Sequence, residues 1–165
     1  MLHNDYPDQV CSIARSLEVV GERWTLLILR DVLLGRYRFD DLVESLGVTR
    51  TVLARRLDHL VEEGVLERSA YQERPPRFEY RATEKGVALR GVLAALLQWG
   101  DAYYPHPAGP PRLLQHRVCG GPVHETFRCD SCDEDVLPEQ VRVVPGPAMA
   151  GTGAARSGPT SSALT

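Results

Sequence analysis

Apolar residues recur with a helical period through most of the first hundred positions, then switch once to alternation. In residues 9–20, Val10, Ile13, Ala14, Leu17 and Val20 share one face, and Gly21 closes the segment. Residues 24–34 are apolar on most sides, which predicts a buried helix ended by Gly35. Asp40 is placed to cap a third helix whose Leu42, Val43 and Leu46 turn inward, with Gly47 in a left-handed turn. Thr49 then caps a fourth helix that runs to Glu63 and stops at Gly64. Its buried stripe is Leu53, Leu57, Leu60 and Val61, with Thr51, Arg55, Asp58 and Glu62 on the far side.

After Gly64 the period falls to two. Residues 66–71 alternate, and in 78–82 Phe78, Tyr80 and Ala82 point one way while Glu79 and Arg81 point the other. Between them, residues 72–77 form a basic loop in which Pro75 and Pro76 remove amide donors, so the tip is a poor template for another strand. Thr83 starts a long helix, from Glu84 to about Tyr103, with apolar residues on more than one face. One small domain cannot bury them all, which predicts a second subunit; the alternative is cover by the first two helices within one chain. Short helix, glycine turn, helix and hairpin in this order describe a winged helix-turn-helix. The predicted class is α+β, mainly helical, with a long C-terminal dimerisation helix and a small Cys/His appendage. The expected organisation is a DNA-binding domain over 8–103, a linker over 104–111, the appendage over 112–144 and a disordered tail over 145–165.

Charge sharpens this picture. The chain is net −3, which argues against indiscriminate coating of nucleic acid. Yet between positions 68 and 90 six bases face three acids, and between 36 and 56 five face three, so the basic surplus sits on the candidate reading elements. Thr49, Arg50, Thr51, Arg55 and Arg56 on the fourth helix, with Arg74 and Arg77 beside the hairpin tip, are the candidate DNA-binding residues. Arg50 and Arg55 are suited to a base edge, whereas Arg56, Arg74 and Arg77 are suited to phosphates. No segment is apolar for long enough to span a bilayer, and acids instead of a basic leader lie near the N-terminus, which together predict a cytoplasmic protein.

The cysteines suggest two further chemistries. His116-x-x-Cys119 and Cys129-x-x-Cys132 supply one nitrogen and three sulfurs, a set suited to a structural tetrahedral zinc, with His124 as rival for the nitrogen and His106 as a more distant one. Metal would supply folding energy that so small a unit lacks. Cys11 lies four residues before Arg15, and a cation or helix terminus of this kind would favour its thiolate; the alternative is a small buried cysteine.

Several runs resemble the HxlR-type regulators, a branch of the MarR-like winged-helix proteins. They are Cys11-Ser-Ile-Ala-Arg-Ser-Leu, Gly21-Glu-Arg-Trp-Thr-Leu-Leu-Ile-Leu-Arg-Asp, Arg38-Phe-Asp-Asp-Leu, Val52-Leu-Ala-Arg-Arg-Leu, Pro75-Pro-Arg-Phe-Glu-Tyr and Thr83-Glu-Lys-Gly. The resemblance covers roughly residues 11–101 and implies a homodimeric bacterial regulator that binds double-stranded DNA and answers a small molecule or an oxidant. It also implies that residues 49–56 belong to the recognition helix and 74–77 to the wing, and that Cys11 lies where some members carry a thiol switch. Arg50 departs from the pattern, standing where members often have proline, which leaves base preference open.

Two other functions compete. A thiol oxidoreductase built on Cys129-x-x-Cys132 needs a strand-turn-helix around the motif, and Pro138 with Asp130, Asp133, Glu134 and Asp135 argues against a helix there. A winged-helix protein-interaction module would bear the same arginines without a steep salt dependence towards duplex DNA. No nucleotide-binding glycine loop or Ser/His/Asp constellation points to an enzyme.

Overall fold

The computed structural model describes residue 6 and residues 10–149. Helices α1 (Ser12–Val20), α2 (Thr25–Leu33), α3 (Phe39–Leu46) and α4 (Arg50–Glu62) precede a hairpin of β1 (Leu66–Glu73) and β2 (Pro76–Ala82). Helices α5 (Glu84–Ala88) and α6 (Arg90–Tyr103) follow, then a second small hairpin of β3 (Phe127–Arg128) and β4 (Asp135–Val136). This is a winged helix-turn-helix, mainly helical, with a C-terminal appendage.

One core organises the first eighty residues. Ile28, Leu29 and Val32 of α2, Leu42 of α3, Leu53, Leu57 and Leu60 of α4, and Val65, Leu66 and Tyr80 of the hairpin are all buried in a single cluster. The α4 stripe is therefore as the period predicts, except that Val61 packs only against the cluster's edge. Thr49 caps α4, its hydroxyl accepting from the Val52 N–H at 3.4 Å, and Gly47 ends α3 with φ 62°.

Four boundaries differ from the expectations. Asp40 does not cap α3: Arg38 holds the N-cap position without a side-chain bond, and Asp40 and Asp41 lie in the first turn. The cause is tertiary. Residues 36–38 run extended beside the hairpin, with Arg38 bridged to Glu79 and the Tyr80 N–H donating to the Tyr37 carbonyl at 2.8 Å, so the helix starts where that pairing ends. The first helix begins at Ser12, not residue 9, which itself lies outside the described residues; Cys11 sits extended at its N-cap. The hairpin continues past the expected loop, so that Glu73 pairs with Pro76 and only Arg74 and Pro75, joined by a cis peptide, form the tip.

The fourth difference is a break in the expected long helix at Leu89, which ends α5 and starts α6. The first turn of α5 is drawn against the end of α4. Thr83 Oγ1 donates to the Gly64 carbonyl at 2.7 Å and accepts from the Gly86 N–H at 3.2 Å, while the Thr83 N–H reaches the Val65 carbonyl at 3.1 Å. A Cβ on Gly86 would lie 2.3 Å from that Val65 oxygen, so only glycine permits the approach. The chain then re-aims, and α6 leaves the core with none of its residues buried. Leu89 and Leu93 touch the core, while Val92, Leu96, Trp99 and Tyr103 form an exposed stripe.

The appendage meets the body through Gln98 of α6. Its Nε2 donates to the Val123 carbonyl at 3.4 Å and its Oε1 accepts from the Glu125 N–H at 3.1 Å. The expected disorder beyond position 145 falls mostly outside the described residues; within them, Pro147–Met149 forms one turn of 3-10 helix. No helix of the described residues is long and apolar enough to cross a membrane.

Gly86→Ala should destabilise the protein by about 1–3 kcal/mol, because the Val65 carbonyl cannot retreat without losing its bonds to Thr83. Denaturant midpoints at unchanged slope will check this; an unaltered midpoint would show that the junction is loose.

Candidate nucleic-acid interface

Burial of Leu53, Leu57 and Leu60 fixes the rotation of α4 about its axis, and with it the side that faces solvent. Thr49, Arg50, Thr51 and Arg55 are all exposed, on the N-terminal half of the helix. The Arg55 side chain forms no ion pair or hydrogen bond among the described residues, and neither do the side chains of Arg74 at the hairpin tip and Arg77 beside it; the Arg74 carbonyl accepts from Gln72 Nε2 at 3.2 Å. Arg50 is exposed but held: its guanidinium meets Asp40 Oδ1 at 2.7 Å and lies 5.1 Å from the centre of the Phe39 ring. That pair crosses the helix-turn-helix and aims Arg50 along the N-terminus of α3.

Arg56 stands apart from this set. Its side chain is only 14% exposed and pairs with Glu22 Oε2 at 2.8 Å, on the side of α4 that faces the α1–α2 junction. The sequence carries the signal for this: Arg56 lies three residues after Leu53 and four before Leu60, on the flank of the buried stripe. Beside it, His59 Nε2 approaches the Val19 carbonyl at 3.2 Å. These contacts hold α4 against α1, so Arg56 braces the helix where phosphate contact was expected. Asp58, on the outer side, is engaged with Arg68 of β1 at 3.6 Å.

The structure adds a cation that the sequence reading passed over. Arg38 is exposed, with its guanidinium 4.7 Å from the Tyr71 ring centre on the strand that leads to the hairpin tip. Arg81 packs similarly on Tyr37 at 4.2 Å and pairs with Glu79 at 2.8 Å. The only sequence sign of Arg38 was its place in the basic-rich run before α3. Its position beside the hairpin depends on the extended pairing of residues 36–38, which no local pattern announces.

Asp31 is the one charged side chain buried among the described residues. Its Oδ1 accepts from Arg30 Nε at 2.8 Å and lies 3.8 Å from Arg36, while its backbone carbonyl accepts from the Arg36 N–H at 3.0 Å. It thereby ties the end of α2 to the strand-like residues 36–38 that support the hairpin.

Outside the helix-turn-helix, α2, α6 and the appendage enclose an open cleft of about 980 Å³, lined by Leu26, Leu33, Leu97, Leu113 and others, with Arg90 and Arg112 at its rim. Cys11 is half-buried with a free side chain, but the nearby cation is turned elsewhere: the Arg15 guanidinium donates to Ser12 Oγ at 3.3 Å. In the appendage, His116 Nδ1 and Cys119 Sγ are 3.2 Å apart. The Cys129 thiol is held below its ordinary pKa by the backbone N–H groups of Cys132 and Ser131, and by the Cys132 side chain. No group of three or more potential metal ligands is gathered among the described residues, so the four expected zinc donors meet as two pairs. His124 is exposed, and His106 Nδ1 accepts from the Ala108 N–H at 3.1 Å. No helix follows Cys129 closely, only the two-residue β4 and a 3-10 turn at Pro138–Gln140, so the strand-turn-helix of a thiol oxidoreductase is not formed there.

A helix buried along one stripe and presented on its outer side, with a cationic hairpin next to it, is the arrangement of a winged helix-turn-helix. Residues 19–108 match the HxlR-like helix-turn-helix family, and the chain belongs to it. A helix-turn-helix regulator of Mycobacterium tuberculosis, itself uncharacterized, is 46% identical over 136 residues, 82% of this chain and 86% of its own length. The crystal structure of PA1607, a candidate transcription factor, superposes with a TM-score of 0.73 at 36% identity, covering 84% of this chain and 97% of that one. The redox regulator HypR in its oxidized form gives 0.52 at 27% identity over 56% of this chain and 92% of its own. A match over 136 of 165 residues must run through the Cys/His appendage, which the family match at 19–108 does not include.

If Arg56 braces α4, Arg56→Ala should lower stability by roughly 1 kcal/mol, and much less in a Glu22→Ala background. A double-mutant cycle on denaturant midpoints gives the coupling; strictly additive losses would show that the two side chains do not work as a pair.

Proposed function

We propose that the protein binds double-stranded DNA sequence-specifically as a homodimer and regulates transcription in response to a small molecule or an oxidant. The observation that carries this is the face of α4: Thr49, Arg50, Thr51 and Arg55 are exposed on one side because Leu53, Leu57 and Leu60 are buried on the other. A helix so presented fits the major groove, where Arg50 or Arg55 can take both acceptors of a guanine edge. Arg74 and Arg77 at the tip, with Arg38 beside the hairpin, supply phosphate contacts that add affinity and salt dependence without reading sequence.

Dimerisation rests on the apolar surface left open by one chain. Val92, Leu96, Trp99 and Tyr103 of α6, and Ile13 and Leu17 of α1, are exposed together with Val10. So much open apolar surface on two helices is what a second copy would cover. The effector has two candidate entries: the cleft beneath the appendage, suited to an apolar molecule, and Cys11, favoured by the likeness to a redox regulator.

Arg55→Ala should weaken binding to the best duplex selected from a random pool by about 1–3 kcal/mol, and binding to random duplex far less. Equal losses on both would move Arg55 to phosphate contact. Replacing Arg74 or Arg77 with alanine should each lower the slope of log affinity against log salt by about 1. A flat salt dependence in the wild type would favour the protein-interaction module instead. Trp99→Glu should give a monomer by light scattering, whereas a wild-type chain that is already monomeric would remove the paired-subunit reading.

A further inference from the structure

The appendage contains the same backbone turn twice. In the first, the His116 N–H donates to the Gly121 carbonyl at 2.8 Å and the Gly120 N–H returns to the His116 carbonyl at 2.8 Å. In the second, the Cys129 N–H donates to the Glu134 carbonyl at 2.9 Å and the Asp133 N–H returns to the Cys129 carbonyl at 2.8 Å. Each turn thus closes by the same two bonds at the same offsets. Each also passes through a left-handed residue in its fifth position, Gly120 at φ 70° and Asp133 at φ 60°. Asp133 accepts that conformation while its carboxylate pairs with Arg128 at 2.8 Å.

The donors fall at equivalent places. His116 and Cys119 occupy the first and fourth positions of one turn, and Cys129 and Cys132 those of the other. Within each turn the two donor groups converge: His116 Nδ1 lies 3.2 Å from Cys119 Sγ, and the free thiols of Cys132 and Cys129 are hydrogen-bonded to each other. The N–H groups of Ser131 and Cys132 are directed at the Cys129 sulfur, which orients it within the turn.

The surroundings explain why such turns need a partner. No residue from 110 to 149 is buried, and Val118, Phe127, Leu137 and Val143 are exposed, so the segment has no apolar core. Its hairpin has two residues in each strand, and hairpins of that size do not hold themselves in water. Two matching turns, each offering a pair of soft or borderline ligands and lacking a core to join them, call for a cross-link.

We propose that this cross-link is one zinc-class divalent cation bound by His116, Cys119, Cys129 and Cys132, which draws the two turns together and supplies the appendage with its folding energy. The donor set, one imidazole and three thiolates, is that of a closed tetrahedral site, structural in role. Binding requires loss of thiol protons, so affinity rises with pH. The cation would also set the wall of the cleft that Leu113 and Val123 share with α6, since Gln98 grips Val123 and Glu125 between the two turns.

The test is titration of the full-length, reduced, metal-stripped protein with cobalt(II), whose visible bands report tetrahedral geometry and whose near-ultraviolet charge-transfer bands report thiolate ligands. The expected result is saturation at one cobalt per chain with both band sets, and their loss when zinc is added. Cys119→Ser and Cys129→Ser should each abolish the wild-type spectrum, since one variant removes a donor from each turn, while His124→Ala leaves it unchanged. Absent bands in the wild type, saturation at two cobalt per chain, or a Cys119→Ser variant with the wild-type spectrum would each overturn the single bridging site. Far-ultraviolet dichroism of the variants, dominated by α1 to α6, separates loss of the site from loss of the whole fold.

Discussion

The packing of one helical stripe governs the molecule. Leu53, Leu57 and Leu60 are fully buried against α2, α3 and the first strand of the hairpin, and that contact leaves α4 one rotational setting. Each such side chain contributes roughly 1.5–3 kcal/mol on burial, so turning the helix to hide its arginines would cost an amount comparable with the whole marginal stability of a domain. The outward face is therefore fixed by what lies behind it. Around the stripe, weaker interactions trim the pose: Thr49 caps the helix, Arg56 and Glu22 tie its flank to the first helices, and Asp40 holds Arg50 across the turn.

The hairpin is positioned by a second constraint of the same kind. Tyr80 is buried in the shared core, and residues 36–38 lie alongside as a third extended segment, so the tip projects from a supported base. Asp31 connects that base to α2 through Arg36. Helix α4 and the hairpin thus stand on one shared core, while α6 departs from it after Leu89 with its apolar stripe exposed. The chain's acidic net charge is compatible with this division, because Arg55, Arg74 and Arg77 are among the described cations whose side chains have no ion pair.

How much of this was legible in the sequence follows from where the determining forces lie. Periodicity located the α4 stripe, the hairpin alternation and the caps Thr49 and Thr83, since these are local or nearly so. The start of α3 was misread at Asp40 because a long-range bridge to Glu79 keeps Arg38 extended. The break at Leu89 was missed because it follows from Gly86 lying against the Val65 carbonyl, a contact between segments some twenty residues apart. Arg56 was expected at phosphates, whereas its spacing from Leu53 and Leu60 places it on the flank of the stripe, where it meets Glu22. The donor spacing in the appendage was visible, whereas the repetition of one hydrogen-bonded turn around both pairs was not.

The central claim, that two copies present their α4 faces to one duplex, is tested most directly by hydroxyl-radical footprinting of the wild-type protein on the tightest-binding DNA selected from a randomised pool. The account predicts two protected patches related by a dyad and centred about one helical turn apart, roughly 10 base pairs. A single unpaired patch, or no protection at concentrations that saturate binding, would contradict it.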